Sequence, residues 1–191
     1  MDKKKQILEA AQSLFARFGL KKVTTDDIAR KASVSKATVY KYYSNKDEIL
    51  ADVVQLETEF LLLKIRNAVE LETTALKKLR AYLLTKALFI RDLTNLYKVT
   101  RFSEDGFWPH IRDARVTCII EENKILQSIL KGGIETNELN VPRVDLTAHV
   151  LVISFRSLEF PWALEGSDLS IEEHIDQLLQ VIYYGIENKA S

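Results

Sequence analysis

Apolar residues recur at helical spacing along almost the whole chain, and this periodicity restricts the fold to an all-helical one. Ile7, Ala11, Leu14, Phe15 and Phe18 fall at i, i+4, i+7, i+8 and i+11, one face of a helix that Gly19 can end in a left-handed conformation. Thr24 with Asp27 three residues later has the form of a capping box and predicts a short helix with Ile28, Ala29 and Ala32 inward. Ser33-Val34 is a tight break, and Ser35 can cap another short helix to about Tyr43. Asn45 with Glu48 opens a long helix to about Glu70, and Thr73 or Thr74 starts the next, which breaks near Asp92. Residues 92–111 read as irregular with one short helix. Helices are then predicted from Arg112 to about Lys131, stopped by Gly132-Gly133, from Pro142 to about Trp162, and from a Ser170 cap to about Asn188. Six glycines and three prolines in 191 residues suit such a run of helices with short connections.

Charge divides the chain where the helices change character. Residues 1–50 hold 11 Lys and Arg against 6 Asp and Glu, whereas residues 51–191 hold 16 against 21. A basic front end on an acidic body suggests a polyanionic partner for the front end alone, although chance clustering gives the same totals.

Two short helices joined by a tight turn and braced by a third form a helix-turn-helix arrangement. In the second short helix, at ~100° per residue, Val39 and Tyr43 define an inward side while Ala37, Thr38 and Lys41 point the opposite way. Tyr40 and Tyr42 fall on the two flanks, each ~80° from the inward centre. A helix lying in a major groove needs small or hydrogen-bonding residues toward the bases and longer polar ones toward the phosphate rims. Ala37 offers a methyl to thymine, Thr38 hydrogen-bonds either way, and Lys36 reaches guanine or phosphate. The tyrosine hydroxyls and Lys46 suit phosphates, and helix N-termini near Thr25 and Lys46 add N–H donors. The candidate DNA contacts are Thr24, Thr25, Ser35, Lys36, Ala37, Thr38, Tyr40, Lys41, Tyr42 and Lys46, with Tyr43 assigned to the core.

Residues Ile7 to Leu50 resemble the DNA-binding domain of TetR/AcrR-type transcriptional regulators. The likeness rests on Ala10-Ala11 with Leu14-Phe15, on Gly19, Thr24-Thr25 and Ile28-Ala29, on Val34-Ser35-Lys36 with Tyr40 and Tyr43, and on Lys46 with Ile49-Leu50. The family often has Gly where this chain has Ser33 and Ala37; the second difference bears on which operator is read. The resemblance implies a homodimeric, all-helical regulator, usually a repressor, whose head reads a short palindrome. It also implies a C-terminal body that binds a small effector. The expected organisation is a helix-turn-helix domain over residues 1–48 and an effector-binding and dimerisation bundle over residues 49–191.

The body carries no specific motif. The last helix has a broad apolar stripe including Ile175, Leu178, Ile182 and Ile186, and the helix before it is apolar nearly all round, with Leu151, Phe155 and Leu158. A second copy of the chain is the simplest cover, so with the resemblance these seven residues are the expected dimer interface; lining the core of a single chain is the competing reading. Large rings gather in the middle, and polar residues interrupt apolar faces. The expected pocket for a small apolar effector takes in Phe89, Phe102, Phe107, Trp108, Cys118, Glu122, Asn123, His149 and Phe155. Ordinary core packing is the competing reading of each ring.

No nucleophile elbow, phosphate loop, dinucleotide fingerprint or metalloprotease motif occurs, and the three histidines stand apart. The sequence thus points to no enzyme, metal or cofactor. The single cysteine, Cys118, forms no intrachain disulfide, the start MDKKKQ has no signal-peptide core, and no apolar run spans a bilayer, so a cytoplasmic protein is expected. Two other functions stay open: a helical lipid- or small-molecule-binding protein whose head does not read DNA, and a DNA-binding family member without ligand control.

Overall fold

The computed structural model describes residues 2–92, 109–155 and 170–186. Every regular segment among them is a helix: α1 Lys3–Phe18, α2 Thr25–Lys31, α3 Lys36–Tyr42, α4 Lys46–Glu70, α5 Ala75–Asp92, α6 Pro109–Glu135, α7 Val144–Phe155 and α8 Ile171–Ile186. The chain forms two compact units, residues 1–59 with 93–116, and residues 60–92 with 117–191. The first is longer than the head expected from sequence. Its core holds Ile49, Leu50, Val53 and Val54 of α4, and Ile111 and Ala114 of α6, beside Ile7, Phe15, Ile28 and Val39.

Local signals set the head's geometry. Gly19 ends α1 at φ 77°, its N–H donating to Phe15 O at 2.9 Å. Leu14 is half-buried and Phe18 is 48% exposed, because the apolar stripe of α1 outruns the core beneath it. The capping box of α2 is complete: Thr24 Oγ1 accepts from Asp27 N–H, and Asp27 accepts from Thr24 N–H at 3.0 Å. The Thr24 hydroxyl, which donates to the Asp27 carboxylate at 2.6 Å, and then the Thr24 N–H hold that carboxyl below the usual carboxylate range. Ser35 caps α3 by accepting from Thr38 N–H at 3.1 Å, and Asn45 caps α4 by accepting from the N–H groups of Asp47 and Glu48.

Between α2 and α3, Ser33 sits at φ 55°, a left-handed conformation that a side chain resists by about 1–2 kcal/mol. Glycine removes that penalty but has more conformational freedom to lose on folding. Ser33→Gly, at an exposed site, is therefore expected to stabilise the protein by about 0.5–1 kcal/mol in urea unfolding. An unchanged midpoint would show that the serine is not strained.

In the second unit, α6 does not stop at Gly132-Gly133 as expected; it continues to Glu135. Glycine is needed at 133 for packing, since a Cβ there would lie 2.7 Å from both Ala75 Cβ and Leu139 Cδ1. The terminator is Asn137 at φ 58°, after which the N–H groups of Glu138 and Leu139 donate back to Gly133 O. Glu138 also accepts from Ala75 N–H at 2.7 Å, fixing the start of α5. Arg80 on α5 grips Asp176 on α8 through two bonds of 2.6 and 3.0 Å. Pro142 precedes α7 rather than occupying its first turn.

Candidate nucleic-acid interface

Helix α3 presents its residues to solvent as the wheel requires. Val39 is fully buried and Tyr43 nearly so, whereas Ala37, Tyr40, Lys41 and Tyr42 are exposed and Thr38 is half-buried. Tyr43 is a structural anchor: its hydroxyl donates to Asp52 on α4 at 3.0 Å, and Lys4 Nζ reaches the same carboxylate at 2.8 Å. Burial first, and then the bond to Asp52, push its phenol above the ordinary range, so it stays protonated.

Around the exposed face the side chains are already ordered. Thr38 Oγ1 and Ser35 Oγ are 2.8 Å apart, and Thr25 Oγ1 and Tyr40 Oη are 3.3 Å apart, linking the start of α2 to α3. Lys36 Nζ lies 2.7 Å from Asp26 and 6.0 Å from the centroid of the Tyr40 ring. The hydrogen bond to Asp26 raises the Lys36 pKa above its usual value. Thr24 is exposed, but its hydroxyl also serves the α2 cap. Nine of the ten sequence-assigned DNA contacts thus lie on α2, α3 or their caps.

Lys46 is the correction. Its ammonium donates to Leu20 O at 2.7 Å and Val23 O at 2.9 Å, so it clamps the α1–α2 connection instead of facing phosphate. Lys46→Met leaves two carbonyls without their charged donor and is expected to cost about 1–2 kcal/mol in urea unfolding. A stability unchanged by the substitution would return Lys46 to the list of free cations.

The expected effector residues do not converge as a set. Phe102, Phe107 and Trp108 lie outside the described residues. His149 is exposed on α7 and so does not line a pocket within the chain: it shares an outward face with Leu146, Val150 and Ile153. Asn123 donates to Ile119 O one turn back at 3.0 Å, which satisfies it within its own helix. Phe89 is half-buried with its ring centroid 5.2 Å from that of Phe60, and Cys118 is half-buried.

Glu122 and Phe155 are buried, together with two residues the sequence reading missed. Lys86 on α5 pairs with Glu122 on α6 at 2.6 Å, the two side chains being 4% and 1% exposed. Tyr82, one turn before Lys86, is fully buried with its ring centroid 6.2 Å from that of Phe155. Burial pushes its hydroxyl above the usual phenol range. The signal was present: Lys86 continues the stripe of Ala75, Leu79, Tyr82 and Leu83, where a lysine must be buried.

The expected dimer residues also need correction. Leu151, Phe155 and Ile175 are buried within the chain, and Leu178 and Ile182 are half-buried. Leu158 and the side chain of Ile186 lie outside the described residues. The exposed large aliphatic side chains are Leu146, Val150 and Ile153 on α7, at 44, 52 and 54% exposure, and, on α8, Val181 at 74%. An all-round apolar helix does not reveal in its sequence which side meets its own core. Among the described residues, no helix is long and apolar enough to cross a membrane.

Residues 7–53 match the family model of bacterial regulatory proteins of the tetR family. The HTH-type transcriptional regulator YhgD of Bacillus subtilis is 28% identical over 95% of this chain and 94% of its own length. The fatty acid metabolism regulator protein of the same organism is 22% identical over 96% of this chain and 95% of its own. Among solved structures, a transcriptional regulator from Cytophaga hutchinsonii superposes with a TM-score of 0.79 at 22% identity, covering 96% of this chain and 98% of that one. FadR from Bacillus subtilis, in complex with stearoyl-CoA, superposes with a TM-score of 0.74 at 21% identity, covering 96% and 99%.

Proposed function

Because this chain belongs to the TetR/AcrR-type transcriptional regulators, we propose that it acts as a homodimeric repressor that reads a palindromic operator and answers to a small lipophilic effector. The observation that carries the reading is the exposed face of α3. Ala37, Thr38 and Lys41 face outward between the hydroxyls of Tyr40 and Tyr42, on a helix anchored from behind by Val39 and Tyr43. Small residues at the centre and long polar ones at the rims match the cross-section of a major groove. A cytoplasmic location follows from the DNA partner.

The outward face of α7 supports dimerisation: a second copy laid on it removes Leu146, Val150 and Ile153 from water. The effector is lipophilic by analogy with relatives that regulate fatty acid metabolism or were solved with stearoyl-CoA. The body's largely aliphatic core supports the same class.

Selection of random duplex DNA on the purified protein tests the reading. The expected result is one enriched palindrome, bound with an affinity that falls by orders of magnitude between about 50 and about 200 mM salt as counterions are released. Retention of DNA without enrichment would favour a lipid-binding protein whose head does not read sequence. A monomer by light scattering across micromolar concentrations would remove the dimer.

A further inference from the structure

Between α1 and α2 the head carries a groove of about 430 Å³. Its apolar lining is Leu14, Phe18 and Val23, and its charged lining is Lys22, Asp27, Arg30 and Lys31. Phe18 is a large ring left 48% exposed, with the Arg17 guanidinium 5.0 Å from its centroid. The charges around the ring are unbalanced. Asp27 is occupied by the α2 cap, accepting from the Thr24 hydroxyl at 2.6 Å, and Arg30 reaches it only at 3.4 Å. Lys31 donates to the Ser13 hydroxyl at 2.8 Å, which leaves its charge uncompensated. Among the described residues, neither Lys22 nor Lys31 pairs with a carboxylate.

The groove is not the reading face. Asp26 meets Lys36 of α3 and Lys31 meets Ser13 of α1, and the two lie ~140° apart around α2. None of the lining residues is among the candidate DNA contacts.

We propose that this groove docks an acidic segment of another protein. The segment seats one large apolar side chain against Leu14, Phe18 and Val23 and sets carboxylates beside Lys22, Arg30 and Lys31. Charge complementarity and the apolar lining choose this occupant together. A DNA backbone brings anions but nothing to bury against the ring. A small ligand would stay largely in water, since Phe18, Lys22, Arg30 and Lys31 are all exposed. A protein segment extends past both ends of the groove, and aromatic and arginine side chains such as Phe18 and Arg30 carry much of the binding energy at protein interfaces. The site goes beyond operator and effector: it gives the head a second partner, on a flank of α2 that α3 does not use.

Selection of a displayed random-peptide library on the full-length protein tests the proposal. The expected result is a family of peptides rich in Asp and Glu around one Leu, Phe or Trp. The most enriched peptide, synthesised and titrated by fluorescence anisotropy, is expected to bind with a micromolar dissociation constant that weakens severalfold as salt rises, as suits a small interface held partly by charge. Phe18→Ser and the double variant Lys22→Gln/Arg30→Gln are each expected to weaken it at least about tenfold. Both change exposed side chains, so thermal unfolding and operator binding are expected to match wild type. Independently of any protein variant, changing the peptide's acidic residues to their amides, or its apolar anchor to Ala, is expected to cost a similar factor.

No enrichment, enrichment of basic or uncharged peptides, or an affinity that both variants leave unchanged would each overturn the docking site. Loss of operator affinity in the folded double variant would assign Lys22 and Arg30 to the phosphate rim instead, and would overturn it too.

Discussion

Lys86→Met is expected to destabilise the protein by about 3–5 kcal/mol, the largest single effect the structure predicts outside its apolar core. The loss is not that of one favourable contact. Lys86 and Glu122 are 2.6 Å apart and almost wholly buried, and removing the cation takes the ammonium away from a buried carboxylate. Glu122 must then take up a proton or draw water into the core, and either response costs free energy in proportion to how well the site is sealed. Lys86→Met/Glu122→Leu removes both charges at similar volume and is expected to recover most of the loss. Urea unfolding of wild type, the single variant and the double variant closes the comparison. A single variant within about 1 kcal/mol of wild type would mean that solvent reaches the pair.

Ala37→Glu is expected to lower operator affinity at least about 100-fold, equivalent to ~2.7 kcal/mol, with no change in unfolding midpoint. Ala37 is exposed on α3 and faces away from Val39, so a longer side chain meets no protein atom of the head's core. In the groove the same side chain places a carboxylate between two rows of phosphates, and a dimer does so twice. Electrophoretic mobility shift on the selected operator, paired with thermal unfolding, separates the two consequences. Undiminished binding would place the reading face elsewhere on the head.

The head was legible because several independent local signals agree there. The Thr24-Asp27 box, the Ser35 cap and the Asn45 cap fix three helix starts, and the alternation of Val39 and Tyr43 with polar neighbours fixes the orientation of α3. Lys46 was misread because a lysine at a helix start looks identical in sequence whether it meets phosphate or two carbonyls some twenty-five residues upstream. Gly132-Gly133 was misread for a related reason. Glycine stops helices, and glycine also lets helices pack closely, and only the nearness of Ala75 and Leu139 distinguishes the two. In the body, α7 is apolar on every side, so periodicity carries no phase and could not separate Leu151 and Phe155, which face inward, from Val150 and Ile153, which do not. Glu122 was found as a polar residue on an apolar face, but its partner on another helix was not, since contacts between distant segments leave no mark in either one.

The pairing of Lys36 with Asp26 also bears on how readily the proposed reading face takes up any duplex. The lysine at the tip of α3 already holds a carboxylate at the place the proposed reading assigns to a phosphate or a guanine edge. Every duplex must compete with this resident anion, and an arbitrary sequence offers little to win the exchange. An operator that also satisfies Thr38 and the two flanking tyrosines offers more. On the proposed reading Asp26 then weakens all binding by a similar amount: it leaves the ratio of operator to arbitrary sequence unchanged and lowers the occupancy of both.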